Sequence, residues 1–122
     1  MTQSRRVLGE TGEELAARYL EAQGLRLLER NVRLRGGELD IVARDGPVLV
    51  FVEVRTRRGT RFGTPEESVD RRKQERLARL AREYLQDRRL SGVNCRFDVV
   101  SVLYLRGEPA PRILHIRDAF SA

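Results

Sequence analysis

Two acidic residues sit inside runs that otherwise belong in a protein core. Asp40 lies in Gly37-Glu38-Leu39-Asp40-Ile41-Val42-Ala43, and Glu53 in Val48-Leu49-Val50-Phe51-Val52-Glu53-Val54-Arg55. An isolated buried carboxylate is so costly to desolvate that it is normally paired, protonated or bound to a metal. Arg44-Asp45-Gly46-Pro47 separates the runs, and Asp-Gly between apolar segments signals a hairpin, so the strands are expected to be antiparallel neighbours. Alternation at period two groups Glu38, Asp40 and Val42 on one face and Leu39, Ile41 and Ala43 on the other. In the second strand Leu49, Phe51, Glu53 and Arg55 share the face opposite Val48, Val50, Val52 and Val54. Two registers are open: a two-residue loop in which Asp40 faces Phe51 and lies diagonal to Glu53, and a four-residue loop in which it faces Glu53 directly. In both, the carboxylates gather on one face at Cβ separations of about 4.5 to 8 Å, which a shared hard cation can bridge. The chemistry this suggests is a divalent-metal site acting on a phosphodiester.

Several elements must hold that hairpin in place. Gly9 to Gln23 reads as a helix with Leu15, Ala16, Tyr19 and Leu20 on one stripe, Glu10, Glu13 and Glu14 in its first turns, and Gly24 as its stop. Leu25 to Leu34 is a first strand, and Arg35-Gly36-Gly37 a tight turn into the acidic hairpin. Thr56 to Ser68 reads as a polar loop carrying Arg57, Arg58 and Arg61. A long helix follows from Val69 to Leu90, with Lys73 within about 40° of Leu77 and Leu80 on the wheel and so directed inward or sideways. Cys95 to Tyr104 and Arg112 to Ile116 complete the pattern as strands. The order α-β-β-β-α-β-β predicts a mixed α/β sheet with helices on its faces.

With 122 residues, the chain is expected to form a single domain, 1–122, with a core that needs no disulfide. The lone Cys95 and the absence of a Cys/His cluster point to a reducing cytoplasm and away from zinc. No segment approaches the roughly 18 apolar residues of a membrane span, so no membrane partner is expected. A net charge of +6 favours a polyanion, with nucleic acid ahead of a lipid surface. Of the 24 basic residues only Lys73 is lysine, a skew that bears on Arg55.

Asp40 followed at a distance by Glu53-Val54-Arg55 resembles the D…(D/E)xK signature of restriction-endonuclease-like nucleases. Gly12-Glu13, Arg30-Asn31, Gly37-Glu38-Leu39-Asp40, Phe51-Val52-Glu53-Val54, Phe62-Gly63-Thr64-Pro65, Lys73-Gln74, Arg96-Phe97-Asp98-Val99-Val100 and Ala119-Phe120, in that order, resemble the YraN family of small bacterial proteins. The resemblance spans nearly the whole chain. It implies a restriction-endonuclease-like fold shared with archaeal Holliday-junction resolvases. It further implies magnesium or manganese held by Glu13, Asp40 and Glu53, and hydrolysis of structured or branched DNA. A homodimer is expected by analogy, because a junction offers two equivalent strands.

Arg55 departs from the lysine of the nuclease pattern. Arginine stabilises a phosphate but stays protonated, whereas lysine can tune its proton. Either the arginine bias replaced a lysine whose role was electrostatic, or Lys73 has taken over that role; both remain open. Arg33, Arg35, Arg57, Arg58 and Arg61 are expected at most to contact phosphates, without reading bases. Asp98 is expected to pair with Arg96 on its own strand face, and His115, in a predicted edge strand, is assigned no chemical role. The competing functions are a catalytically inactive nucleic-acid-binding or adaptor module and a scaffold whose basic surface binds an acidic protein.

Overall fold

The computed structural model of the chain describes residues 2–59 and 69–121, with side chains from residue 12 onward. Helix α1 (Thr2–Ala22) precedes β1 (Arg26–Leu34), β2 (Gly37–Asp45) and β3 (Val48–Arg58); α2 (Arg71–Asp87), β4 (Cys95–Tyr104) and β5 (Arg112–Phe120) follow. The fold is mixed α/β in the expected order. The five strands form one sheet in sequence order, antiparallel except where β3 meets β4. A parallel step needs a crossover, and α2 supplies it.

The helices cover opposite faces of the sheet. Ala16, Ala17 and Leu20 of α1 pack on Ile41, Ala43, Val50, Val52, Val100 and Val102. Leu77, Leu80, Ala81 and Tyr84 of α2 pack with Val42, Phe51, Phe97 and Val99. Burial on both faces is why β3 and β4 read as nearly unbroken apolar runs. Gly12 brings α1 close to the sheet, since a Cβ there would collide with the Thr56 hydroxyl. Among the described residues no helix is long and apolar enough to cross a membrane.

Element ends follow local chemistry. The backbone of α1 is already helical at Thr2, ahead of the expected Gly9. At its other end Gly24 adopts φ 96° and the Leu25 N–H returns to the Leu20 carbonyl at 3.0 Å, a Schellman closure. The expected Val69–Leu90 helix is shorter at both ends. Asp70 caps it by accepting the Lys73 N–H at 2.9 Å, and Arg89 turns out of it at φ 54°. Strand β3 runs to Arg58, beyond the expected loop boundary, because Thr56, Arg57 and Arg58 continue the parallel ladder opposite Val102, Leu103 and Tyr104. Strand β5 continues past Ile116, where Arg117 reaches Asp45 at 3.3 Å and the Asp118 backbone N–H donates to Asp98 at 3.0 Å.

The hairpin register corrects one expectation. Asp45 pairs with Val48, so the connection is Gly46-Pro47, with Gly46 at φ 59°. Proline lacks an N–H and is tolerated where no ladder bond is due. This two-residue turn sets Val42 opposite Phe51 and Ile41 opposite Val52, and the next step of the register puts Asp40 opposite Glu53. The direct-facing arrangement therefore comes with the short loop, not the four-residue one. Leu39 also departs from simple alternation, because it joins the α2-side core instead of Ile41 and Ala43.

Candidate functional site

The sheet loosens around Asp40. On the β1 side, the residue between the Arg30–Ile41 and Val32–Leu39 pairs is Asn31, which adopts φ 52°, a left-handed conformation that asparagine tolerates better than most residues. On the β3 side, the Val54 N–H donates to Asp40 Oδ2 at 2.9 Å. The carboxylate thereby takes the place of a strand carbonyl and is fixed in orientation by a backbone donor.

Glu53 lies across from it. A cavity of about 230 Å³ is lined by Glu38, Asp40, Glu53 and Arg55 from the hairpin and by Lys73, Arg76, Leu77 and Leu80 from α2. Residues 73, 76, 77 and 80 recur at helical spacing, so one stripe of α2 forms that wall. Lys73 occupies the first turn, where the Asp70 cap fixes its backbone. The expected meeting of Asp40, Glu53, Arg55 and Lys73 is thus present, with Glu38 beside them. Glu38 also lies 3.8 Å from Arg33.

The electrostatics are those of two carboxylates forced together. The Glu53 carboxyl is pushed up to about 7, first by burial, then by the charge of Asp40 and a hydrogen bond with it. Arg55, at 3.5 Å from Glu53 Oε2, and the charge of Lys73 pull in the opposite direction and only partly compensate. A cation binding beside Glu53 would displace the proton that its raised carboxyl retains up to about pH 7.

Glu13 is placed differently. It opens to a neighbouring cavity of about 510 Å³ with Glu14, Arg30 and Asn31, and among the described residues no three potential metal ligands form a ready-made cluster. It is still coupled to the site: burial and then the charge of Asp40 raise its carboxyl above the usual value, while Arg30 and an Asn31 hydrogen bond pull it down. Among the described residues its Oε1 is buried without a hydrogen-bond partner, and the Arg30 guanidinium is 4.0 Å away. An unsatisfied buried carboxylate oxygen is costly unless a further donor or cation completes it.

The basic residues assigned to nucleic acid are scattered. Arg57 and Arg58 line an open cleft with Arg55 and Thr56 at the end of β3, and the Arg58 guanidinium lies 5.6 Å from the Tyr104 ring centroid. Arg33 is largely exposed at the far end of β1. Arg35 is fixed through its backbone N–H, which donates to Glu83 at 2.7 Å. Arg61 lies outside the described residues, as does Phe62-Gly63-Thr64-Pro65.

Asp98 pairs with Arg96 as expected, but the pair belongs to a larger buried group. Arg96 grips Asp98 through two nitrogens at 3.0 and 3.1 Å and reaches Asp45 at 2.6 Å; His115 Nε2 lies 2.8 Å from Asp98. Burial alone would raise the Asp98 carboxyl. Hydrogen bonds from His115, Arg96 and the Asp118 N–H outweigh it and hold the group below its ordinary value. The role of His115 as a buried strut was not legible from its position in an edge strand.

Comparison with known sequences bears on this arrangement. The model of the uncharacterised protein family UPF0102 matches residues 12–102, which include Glu13, Asp40, Glu53, Arg55 and Lys73. A UPF0102 protein of Symbiobacterium thermophilum is 54% identical over 123 residues, spanning 98% of this chain and 99% of its own. One from Pelotomaculum thermopropionicum is 50% identical over 120 residues, spanning 98% and 100%. A third, from Moorella thermoacetica, is 52% identical over 120 residues. By a family match across most of its length and by relatives at half identity over nearly all of it, the chain belongs to the UPF0102 family, the family of YraN.

Proposed function

We propose that the chain is a metal-dependent endonuclease that hydrolyses phosphodiester bonds in structured or branched DNA. The observation that carries this reading is the Asp40–Glu53 pair, two carboxylates brought together in a cavity that Lys73 and Arg55 also line. Three cations, Arg55, Lys73 and Arg76, line the cavity with the three carboxylates, and Arg55 lies within ion-pair distance of Glu53. Even so, one carboxylate is held against another.

The donor set suits magnesium or manganese, which are commonly held by one or two carboxylates with water and substrate oxygens completing the shell. Asp40 and Glu53 would hold the ion, and Glu13, with its unsatisfied Oε1, is a further oxygen donor beside them. Such an ion, when bound, polarises a phosphoryl oxygen and lowers the pKa of water. The remaining work belongs to the protein. The Val54 N–H keeps Asp40 aimed into the cavity. Arg55 and Lys73 supply positive charge where negative charge accumulates on the phosphate. Arg55 acts as charge alone because it does not release its proton, so any proton transfer to the leaving group falls to Lys73 or water.

DNA is the partner that the net charge supports, and two copies acting on the two equivalent strands of a junction are the assembly such a substrate favours. The cytoplasm is the setting suggested by a single, exposed, unpaired cysteine. A binding or adaptor module is the second reading, and the contact between Arg55 and Glu53 favours it, since an arginine already neutralises part of the site. The test is cleavage of branched, single-stranded and duplex DNA with Mg²⁺ or Mn²⁺ by the native chain, Asp40→Ala and Arg55→Lys. The endonuclease reading expects cutting by the native chain, retention or gain in Arg55→Lys, and loss in a folded Asp40→Ala. DNA binding without cutting in all three supports the adaptor instead.

A further inference from the structure

Among the described residues, some arginines hold a carboxylate and others do not. Arg30, Arg88, Arg96 and Arg112 each hold a carboxylate oxygen at 3.0 Å or less. Arg71, Arg72, Arg76, Arg79 and Arg82, all on α2 and all exposed, engage no carboxylate among the described residues; Arg26, Arg44, Arg89 and Arg106 engage none either but lie outside α2. Acidic neighbours are available, yet Glu83 is committed to the Arg35 backbone N–H. Gathering on one helix five arginines that have no carboxylate partner among the described residues sets up a local positive field that mutual repulsion opposes.

Their placement is directional. Arg72, Arg76 and Arg79 follow at i, i+4 and i+7, so they share one exposed face, and Arg82 lies a turn beyond Arg79. Arg76 is on the wall of the Asp40–Glu53 cavity, with its guanidinium over Gly37, where a Cβ would come within 2.6 Å of Nη2. Arg79 and Arg82, with Arg71 and Gln74, line a separate cleft of about 460 Å³ that ends at Ser121. Glu75 is the acidic side chain in that lining. The stripe thus leaves the cavity at Arg76, crosses the outer surface of α2 and enters the cleft. From Arg76 to Arg82 the axial rise is about 9 Å, comparable to two or three nucleotide steps of about 3.4 Å.

We infer that α2 is a phosphate-backbone track: Arg76, Arg79 and Arg82 hold successive phosphates of a nucleic-acid duplex arm that runs from the Asp40–Glu53 cavity into the Ser121 cleft. The inference deepens the endonuclease proposal and rests on it for the direction of the track, while the binding it predicts stands without turnover. Guanidinium groups suit this work because they donate in pairs to phosphate oxygens. No contact in the track reads a base, so the binding is independent of sequence.

The test is fluorescence anisotropy with labelled duplex DNA, branched DNA and duplex RNA in EDTA across a salt series. Native protein is compared with Arg79→Gln/Arg82→Gln, each single variant, and Arg112→Gln as an exposed arginine outside the track. Each lost phosphate contact lowers the magnitude of the slope of log K against log salt by about 1. The double variant is therefore expected to lose about 2, each single variant about 1, and Arg112→Gln none. RNA bound with the same slopes as DNA identifies the shared backbone as the ligand, and DNA alone narrows it to the B-form duplex. An unchanged slope in the folded double variant overturns the track, as does a polyglutamate competitor bound as tightly as duplex. Because EDTA removes cleavage from the measurement, a track that holds while no substrate is cut with Mg²⁺ sinks only the endonuclease proposal. A lost track with cutting intact sinks only this one.

Discussion

Asp40 makes Glu53 harder to ionise, and that cost is held in place by backbone: the Val54 N–H fixes Asp40, and the β2–β3 register brings Glu53 to it. Glu53 shows the sign of the resulting pH dependence. Its carboxyl is raised from 4.5 to about 7, so between those values the folded protein binds more proton than the unfolded chain, and stability falls as pH rises across that window. Urea unfolding at pH 5 and pH 8 should show this decline, and Glu53→Gln should flatten it. A native slope unchanged by Glu53→Gln would place the titration elsewhere. Asp98 has the opposite sign. Its depressed carboxyl contributes stability above its ordinary value of 3.8 and loses it as pH falls through the still lower folded value. Replacing it by alanine leaves His115 buried without its partner and Arg96 with Asp45 alone, for a loss of about 3 to 5 kcal/mol in denaturant unfolding. A loss under 1 kcal/mol would show that the network relaxes to water.

At the scale of elements, the site exists because two helices approach one loosened region of the sheet from opposite faces. Helix α2 is locked to β1 by Tyr84 and Arg88, whose hydroxyl and guanidinium both reach Glu29 at 2.6 Å, and the Arg88 guanidinium stacks 4.5 Å from the Tyr84 ring centroid. Burial and the Glu29 hydrogen bond push the Tyr84 hydroxyl up to about 12, so this lock stays protonated through the physiological range. Helix α1 depends on a missing side chain. Gly12→Ala would ordinarily add about 1 kcal/mol of helix propensity. Against Thr56 it should instead cost about 1 to 3 kcal/mol, and Thr56→Ala should recover most of that in a double-mutant cycle. If Gly12→Ala alone stabilises the protein, the close approach of α1 to β3 is not what sets the position of Glu13.

At the scale of the whole molecule, much was legible because it depends on short-range pattern. Alternation located the acidic strands, and the lone lysine stood out against 23 arginines. Positions that depend on backbone exceptions were not legible. The Gly46-Pro47 turn chose the register, Asn31 at φ 52° opened the sheet beside Asp40, and Glu13 ended in its own cavity because helix facing does not reveal how far a side chain reaches. The Asp98–His115 contact joins residues 17 apart on strands whose register is shifted by an irregularity near Asp98, which no periodicity encodes. The clustering on α2 of arginines with no carboxylate partner among the described residues likewise appears only once the partners of the other arginines are known. What ties these scales together is the claim that Asp40 and Glu53 form a divalent-cation site, and calorimetric titration of the metal-free protein with Mn²⁺ at pH 6 and pH 8 tests it most directly. The native chain should bind with release of a proton at pH 6 and little at pH 8, and folded Asp40→Asn should not bind at that site. Equal binding by Asp40→Asn, or no binding by the native chain at either pH, would contradict the account.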